Sequence, residues 1–151
     1  MVERTPLKYL ALEKNDYLNV NVSGFYSLSE VKKIYTEILE IAVNKKLTKL
    51  FVDVCQVHGK ITILERYYFG EFAALEAIRF KGLGLNKISI AFYGIEPIID
   101  PDRFGEIVAR NRGLNVKVTT DIDEAFRFLG EQWPHLISDL KRILQLIIFR
   151  F

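Results

Sequence analysis

The sequence is poor in the residue types on which most recognisable enzyme sites depend. Its 151 residues include one cysteine, Cys55, and only two histidines. A single cysteine excludes an intramolecular disulfide framework, and a zinc site normally needs three or four ligands. The sequence also contains neither Gly-x-Gly-x-x-Gly nor Gly-Lys-Ser/Thr, the patterns of phosphate-binding loops. We therefore predict no metal site, no cofactor and no catalytic residues.

Charge and hydropathy exclude further classes. The 21 basic and 19 acidic residues are interspersed and leave a formal net charge of +2, so the chain has no basic footprint for nucleic acid. No stretch reaches about 18 uncharged apolar residues, and residues 1–6 lack an apolar signal core. We expect a cytoplasmic protein that neither binds nucleic acid nor spans a membrane. Half of the residues are apolar, enough to bury the core of one domain.

The N-terminal third predicts two strands, a helix and a third strand. Leu7 to Leu12 and Tyr17 to Val22 read as an antiparallel pair, because the second segment alternates apolar and polar residues. Ser27 and Glu30 have the spacing of a capping box that would begin the first helix. Leu50 to Val54 is an apolar run typical of a strand covered on both faces.

A second capping box, Thr62 with Glu65, predicts a helix that extends to about Lys81 and ends at Gly82. A buried strand is predicted at Ile88 to Tyr93.

The last third predicts a helix, a strand and a capped helix with almost no linker. Asp100 is an expected N-cap with Pro101 at the first helical position, and Gly113 ends this helix. Val116 to Thr119 is the expected last strand, and Asp121 begins the fourth helix. The order β-β-α-β-α-β-α-β-α predicts an α/β fold with a mixed, mostly parallel sheet and helices packed on it.

The chain divides into a predicted domain over residues 1–130 and a tail over residues 131–151. Pro134 can begin an amphipathic helix in the tail. We expect this helix to pack on the domain or on a second subunit. A peripheral membrane contact is the less favoured alternative, because interfacial helices usually carry a richer basic face.

Three segments of the chain carry a family resemblance. The first is the strand that ends in Val22-Ser23-Gly24 before a helix. The second is the Leu50 to Val54 strand, which leads into a loop with a glycine and a capped helix. The third is the helix from Arg103 to Gly113, followed by Val116-Lys117-Val118 and by Asp123 to Phe126. Together these segments resemble the STAS-type, SpoIIAA-like family, in particular its bacterial branch.

This resemblance covers about Leu7 to Gly130 and implies a non-enzymatic regulatory or protein-interaction module. Anti-sigma-antagonist members of the family carry a phosphorylated serine at the start of the second helix. Residues 54–62 contain no serine here, and Thr62 is their only hydroxyl residue, so no classical phosphoserine switch is expected. The resemblance also permits an alternative function, a carrier of a lipid-like apolar molecule.

Four residues at the end of the third predicted strand are candidates for chemistry. Asp53 could contact a ligand at the carboxyl edge of the sheet, or accept backbone N–H bonds. Cys55 and His58 lie three residues apart in a predicted loop, where they read as a buried thiol and a surface imidazole in preference to a reactive pair. Thr62 reads as an N-cap in preference to a phosphate acceptor.

The second helix is apolar on two faces, so one face must be covered by something other than the sheet. We predict a homodimer or another protein partner there, with an apolar small molecule as the alternative. Phe69→Asp is accordingly expected to disrupt association and to leave the helix intact. The predicted ligand or partner surface comprises Tyr67, Tyr68, Phe69, Phe72, Ala73, Ala77 and Phe80.

Three arginines on the third helix, Arg103, Arg110 and Arg112, are candidates for an anionic group. Arginine suits bidentate contact with phosphate. A solvated helix face with charges at the helix end explains them more simply.

Overall fold

A computed structural model describes residues 4–131, together with Leu144, Gln145 and Ile147. The predicted tail helix over Trp133 to Phe151 lies outside the described residues apart from those three. Within residues 4–131 the elements are β1 (Lys8–Lys14), β2 (Tyr17–Phe25), α1 (Leu28–Lys45), β3 (Lys49–His58), α2 (Ile63–Lys81), β4 (Ser89–Tyr93), α3 (Phe104–Asn111), β5 (Asn115–Thr119) and α4 (Ile122–Phe128).

The five strands form one sheet in the order β1-β2-β3-β4-β5. β1 pairs antiparallel with β2, and every later pair is parallel. The helices α1, α2 and α3, which follow β2, β3 and β4, provide the crossovers that parallel pairing requires. The predicted α/β class, the element order and the mostly parallel sheet are therefore confirmed.

The third strand is longer than its apolar run suggests, because β3 extends to His58. Asn21 pairs with Asp53, and the next pair joins Ser23 to Gln56, so β3 carries one extra residue in a β-bulge. The prediction that Cys55 and His58 lie in a loop is wrong. Both lie in β3, since β2 continues to Phe25 and supplies its hydrogen-bonding partner.

The first helix begins directly after Ser27, as predicted, but its capping box is not formed, and the predicted start of the third helix is wrong. Ser27 makes no side-chain capping bond, and the Glu30 carboxylate instead accepts a hydrogen bond from the Leu7 N–H at 3.3 Å. The Glu30 carboxylate thus accepts from a donor distant in sequence, the Leu7 N–H, and not from the Ser27 N–H as a capping box requires. The third helix begins at Phe104, three residues after Pro101. Asp100 still accepts a hydrogen bond from the Phe104 N–H, at 2.9 Å, from the turn before the helix.

The sheet is covered unequally on its two faces. Adjacent residues of a strand point to opposite faces, and the buried residues accordingly form two clusters. The larger cluster lies between the sheet and α1, α2 and α3. The smaller one lies under α4 and includes Phe51 and Phe126, whose rings stack with centroids 4.5 Å apart.

Among the helices that the structure describes, none is long and apolar enough to cross a bilayer.

Candidate functional site

One face of α2 is buried against the rest of the domain. Its fully covered residues are Gly70, Ala73, Ala74, Ala77 and Phe80. Ala73, Ala77 and Phe80 belong to the predicted ligand or partner surface, but all three are buried and offer no surface to a protein partner, although Ala73 lines a cavity. The small residues Gly70, Ala73, Ala74 and Ala77 let α2 approach the sheet and its neighbouring helices closely, so this face forms core.

The opposite face of α2 is exposed and apolar. Leu64, Tyr68, Leu75 and Ile78 keep 59%, 44%, 57% and 58% of their surface in solvent, and together we call them the α2 strip. With Glu71 between Tyr68 and Leu75, their spacing is 4-3-4-3, the spacing of a coiled-coil seam. The strip is about 21 Å long at the rise of an α-helix. Such a row on the described surface is typical of a contact with another protein.

The charge in the middle of the α2 strip is paired within the domain. The Glu71 carboxylate accepts hydrogen bonds from the Arg112 guanidinium and the Tyr67 hydroxyl, each at 3.2 Å. Arg112 also lies over the Tyr67 ring, 5.4 Å from its centroid. Tyr67 is half-buried beside the strip. The Arg112 guanidinium partly neutralises the charge of Glu71, so no partner protein is needed for this.

A cavity of about 150 Å³ lies beneath the buried face of α2. It sits between the sheet and α1, α2 and α3, towards the carboxyl ends of the strands, where open α/β sheets bind ligands. Its apolar lining includes Val54, Val57, Phe69, Ala73, Phe92 and Ala109.

Phe69 belongs to the cavity wall. Its ring meets those of Tyr35 and Phe92 edge-on, with centroids 5.6 and 6.2 Å away. Phe72 is also half-buried, with its centroid 6.1 Å from that of Tyr35. A charge at Phe69 would be desolvated in the core. Phe69→Asp would therefore perturb folding and is no test of a surface.

Tyr26 belongs to the lining of this cavity and carries a polar group without a hydrogen-bond partner among the described residues. Its hydroxyl is buried and makes no hydrogen bond to any described residue. Burial raises the pKa of Tyr26 to about 12, so the phenol stays protonated and can donate. Tyr26 directly follows β2, and its N–H donates to the His58 carbonyl at 2.7 Å, which places it at the carboxyl edge of the sheet.

Arg66 holds the loop between β4 and α3 against α2 at the same end of the cavity. Its guanidinium donates to the Ile98 carbonyl at 2.9 Å and to the Pro97 carbonyl at 2.8 Å. The carboxylate of Glu65, the other charged neighbour, accepts hydrogen bonds from the Thr62 N–H at 3.0 Å and from the Thr62 hydroxyl at 2.9 Å. The charged groups of Arg66 and Glu65 are thus both hydrogen-bonded within the domain.

The candidate residues near the end of β3 form no reactive pair. Asp53 accepts a hydrogen bond from the Cys55 N–H at 2.9 Å. Burial, and then the Asp53 carboxylate, raise the pKa of the Cys55 thiol to about 11, which disfavours the nucleophilic thiolate. His58 is exposed at the end of the strand. Within residues 4–131, no group of three or more His, Cys, Asp or Glu side chains is placed to hold a metal ion.

The predicted capping box at the start of α2 is confirmed. The Thr62 hydroxyl accepts from the Glu65 N–H at 3.2 Å, while the Glu65 carboxylate accepts from the Thr62 N–H. The hydroxyl that would carry a phosphate is therefore part of the cap.

The three arginines of the third helix do not converge. Arg103 is the N-cap of α3 and Arg112 its C-cap, about 13 Å apart along the axis. Arg103 donates to the backbone carbonyls of Val118, at 2.8 Å, and Asp100. Arg110 is exposed between them. An anion site built from all three is thus not formed.

Two residues at this end of the cavity, Tyr26 and Arg66, are not among those predicted from the sequence. A signal for Tyr26 was present, because a tyrosine just after a predicted strand lies at the edge where open α/β sheets bind ligands. Arg66 gave no such signal, since its partners are backbone carbonyls 31 and 32 residues away.

No protein-family model and no curated protein matches this sequence. Solved structures do match in fold. An anti-sigma factor antagonist from Mycobacterium paratuberculosis aligns with a TM-score of 0.51 at 12% identity, over 83% of this chain and 96% of that one. An uncharacterised protein of the DUF3478 family from Shewanella loihica, described as having a SpoIIAA-like fold, aligns with a TM-score of 0.47 at 15% identity, over 85% of this chain and 98% of that one. The chain has the fold of this anti-sigma factor antagonist, and the fold predicted from the sequence is therefore confirmed.

Proposed function

We propose that this chain is a non-catalytic protein-interaction module of STAS type that binds its partner through the α2 strip. The observation that carries the proposal is the row of exposed apolar side chains at coiled-coil spacing. The fold supports it, because the structure from Mycobacterium paratuberculosis is that of an anti-sigma factor antagonist, a regulatory protein by its description.

The partner we propose first is a second copy of the chain. Two α2 strips that pack against each other would bury Leu64, Tyr68, Leu75 and Ile78 on both sides. Glu71, at the centre, brings its own counter-charge in Arg112, so a two-fold interface leaves no lone carboxylate. A stable dimer needs about 800 Å² per copy, and the surface flanking the strip would supply the remainder.

Regulation through phosphate on Thr62 is not part of this proposal. The Thr62 hydroxyl already bonds to Glu65, and a phosphate there would lie beside that carboxylate, where like charges repel. The alternative of a lipid carrier is also disfavoured, because a cavity of about 150 Å³ is below the roughly 300 Å³ at which pockets for larger ligands begin.

Sedimentation velocity over a wide range of protein concentration tests the proposal. We expect the wild-type chain to dimerise and Leu75→Glu to remain monomeric, because a buried, unpaired charge would oppose association. Ile95→Glu is the matched control, since Ile95 and Leu75 are both 57% exposed but Ile95 lies outside the strip. A wild-type monomer at every concentration, or a Leu75→Glu dimer as tight as the wild type, would contradict a second copy on this strip.

A further inference from the structure

One face of the β1–β2 pair is partly apolar and exposed. Leu10 and Leu12 of β1 keep 59% and 48% of their surface in solvent. Their partners in the register are Asn21 and Asn19 of β2, and together we call these four residues the hairpin patch. The patch lies on the same face of the sheet as α4, because Tyr17, two residues before Asn19, belongs to the cluster under α4.

The helix α4 covers the other half of this face. It packs on β4 and β5 and reaches β3 through Phe126, whose ring stacks on that of Phe51. A helix is about 10 Å in diameter and strands lie about 4.8 Å apart, so one helix covers about two strands. Mostly parallel sheets carry helices on both faces. A second helix therefore fits beside α4, over the hairpin patch.

The end of α4 lies at one end of the hairpin patch. Gly130, with φ of +74°, ends the helix, and the Glu131 N–H donates to the Phe126 carbonyl at 2.8 Å. The Lys49 ammonium donates to the Glu131 carboxylate at 2.9 Å and to Asp16, in the turn between β1 and β2, at 3.2 Å. Glu131 is therefore held beside the β1–β2 turn, and the tail begins at the edge of the exposed face.

The tail carries an apolar stripe at helical spacing, which comprises Leu136, Ile137, Leu140, Ile143, Leu144, Ile147 and Ile148. The structure describes Leu144 and Ile147 of this stripe. Both are helical, and they keep 55% and 51% of their surface in solvent. Burial stabilises an apolar stripe on a helix and an apolar patch on a sheet alike, so these two surfaces of one chain can cover each other.

The tail is long enough to lie along the whole patch. Residues 134–147 would span about 21 Å as a helix. From Lys14, beside the turn, to Lys8 at its far end, β1 spans about 20 Å. A helix that follows Glu131 and lies along β1 therefore brings Ile147 close to Lys8.

We propose that residues 134–147 form a helix that docks on the hairpin patch of the same chain, beside α4, and covers Leu10 and Leu12. The docked helix would lie antiparallel to α4 and complete the helix layer on this face of the sheet. The α2 strip lies on the other side of the sheet, so a docked tail leaves it free for a protein partner.

Paramagnetic relaxation enhancement on the full chain tests this placement, because a nitroxide broadens the signals of nearby nuclei. A nitroxide attached at Lys8→Cys should broaden the amide signals of residues 143–148. The same label at Lys33→Cys, an exposed position on α1, should leave those signals sharp. Cys55→Ser in both variants confines the label to one site. No broadening from position 8, or equal broadening from both positions, would contradict the docked tail.

Isotope-mixed samples distinguish docking within one chain from docking on a second copy. When ¹⁵N-labelled chains carry the nitroxide at position 8 and are diluted into ¹⁴N chains without it, the broadening should persist. When the ¹⁴N chains carry the nitroxide instead, the tail signals of the ¹⁵N chains should stay sharp. The reverse pattern would mean that the tail docks on a second copy and would overturn the proposal.

Trypsin cleavage after Lys141 or Arg142 measures the population of undocked tail, since a docked helix is protected. Leu10→Asn removes the apolar burial of one leucine, so we expect this cleavage to become about tenfold faster than in the wild type. Leu83→Asn is the matched control and should leave the rate unchanged, because Leu83 is 58% exposed and lies outside the patch. Equal cleavage rates in the two variants would refute docking on Leu10.

Discussion

Gly70 of α2 lies against the backbone of Gly105 in α3. A Cβ atom built on Gly70 would be 2.7 Å from the Gly105 carbonyl oxygen and 3.2 Å from Val108 Cβ. The missing side chain thus lets the two helices meet at backbone distance. This contact holds α3 over the same cavity that Phe69 and Ala73 line from α2.

Gly70→Ala should destabilise the domain. Alanine favours a helix over glycine by about 1 kcal/mol, but overlap with a backbone oxygen forces α2 and α3 apart, and overpacking typically costs about 1 to 3 kcal/mol. We expect a net loss of about 1 kcal/mol in the free energy of unfolding, measured by urea denaturation. Gly82→Ala is the control, because its Cβ would be 3.5 Å from the nearest atom, the Arg79 carbonyl oxygen. Equal losses in both variants would contradict the close-contact explanation.

Thr62→Ala should lower the free energy of unfolding by about 1 kcal/mol, since it removes the side-chain acceptor at the start of α2. Thr62→Ser keeps the hydroxyl and should retain most of that stability. Urea denaturation of both variants checks the prediction. If Thr62→Ser were as unstable as Thr62→Ala, the capping bond would not be the cause.

Cys55 should react slowly with iodoacetamide in the folded protein. Burial and the Asp53 carboxylate raise the pKa of its thiol to about 11, so the thiolate fraction at pH 8 is roughly a hundredfold below that of an ordinary cysteine. The rate should increase with pH through pH 9 and 10, where an ordinary thiol is already titrated.

Asp53→Asn provides the control for this pH dependence. Loss of the carboxylate should lower the pKa of Cys55 and speed alkylation at pH 8, while burial still keeps the rate below that of the unfolded chain. A folded wild-type protein that reacts as fast at pH 8 as the same chain in urea would refute the raised pKa.

The capping boxes show where sequence-based prediction succeeds and where it fails. Thr62 and Glu65 bond to each other as predicted, because no described residue distant in sequence bonds to either side chain. Ser27 and Glu30 have the same spacing, but the Leu7 N–H takes the Glu30 carboxylate. The difference is a residue 23 positions away, which no local pattern contains.

The sequence by itself determined the order of strands and helices and the mostly parallel sheet. Periodicity, glycine stops and the length of each segment are local properties, and short right-handed connections leave few topologies for that order. Only the tertiary structure decided which face of α2 is core, that β3 extends over Cys55 and His58, and that the Tyr26 hydroxyl is buried without a partner among the residues described. Each of these depends on side-chain volumes and hydrogen-bond partners brought together from distant segments, where packing decides the outcome.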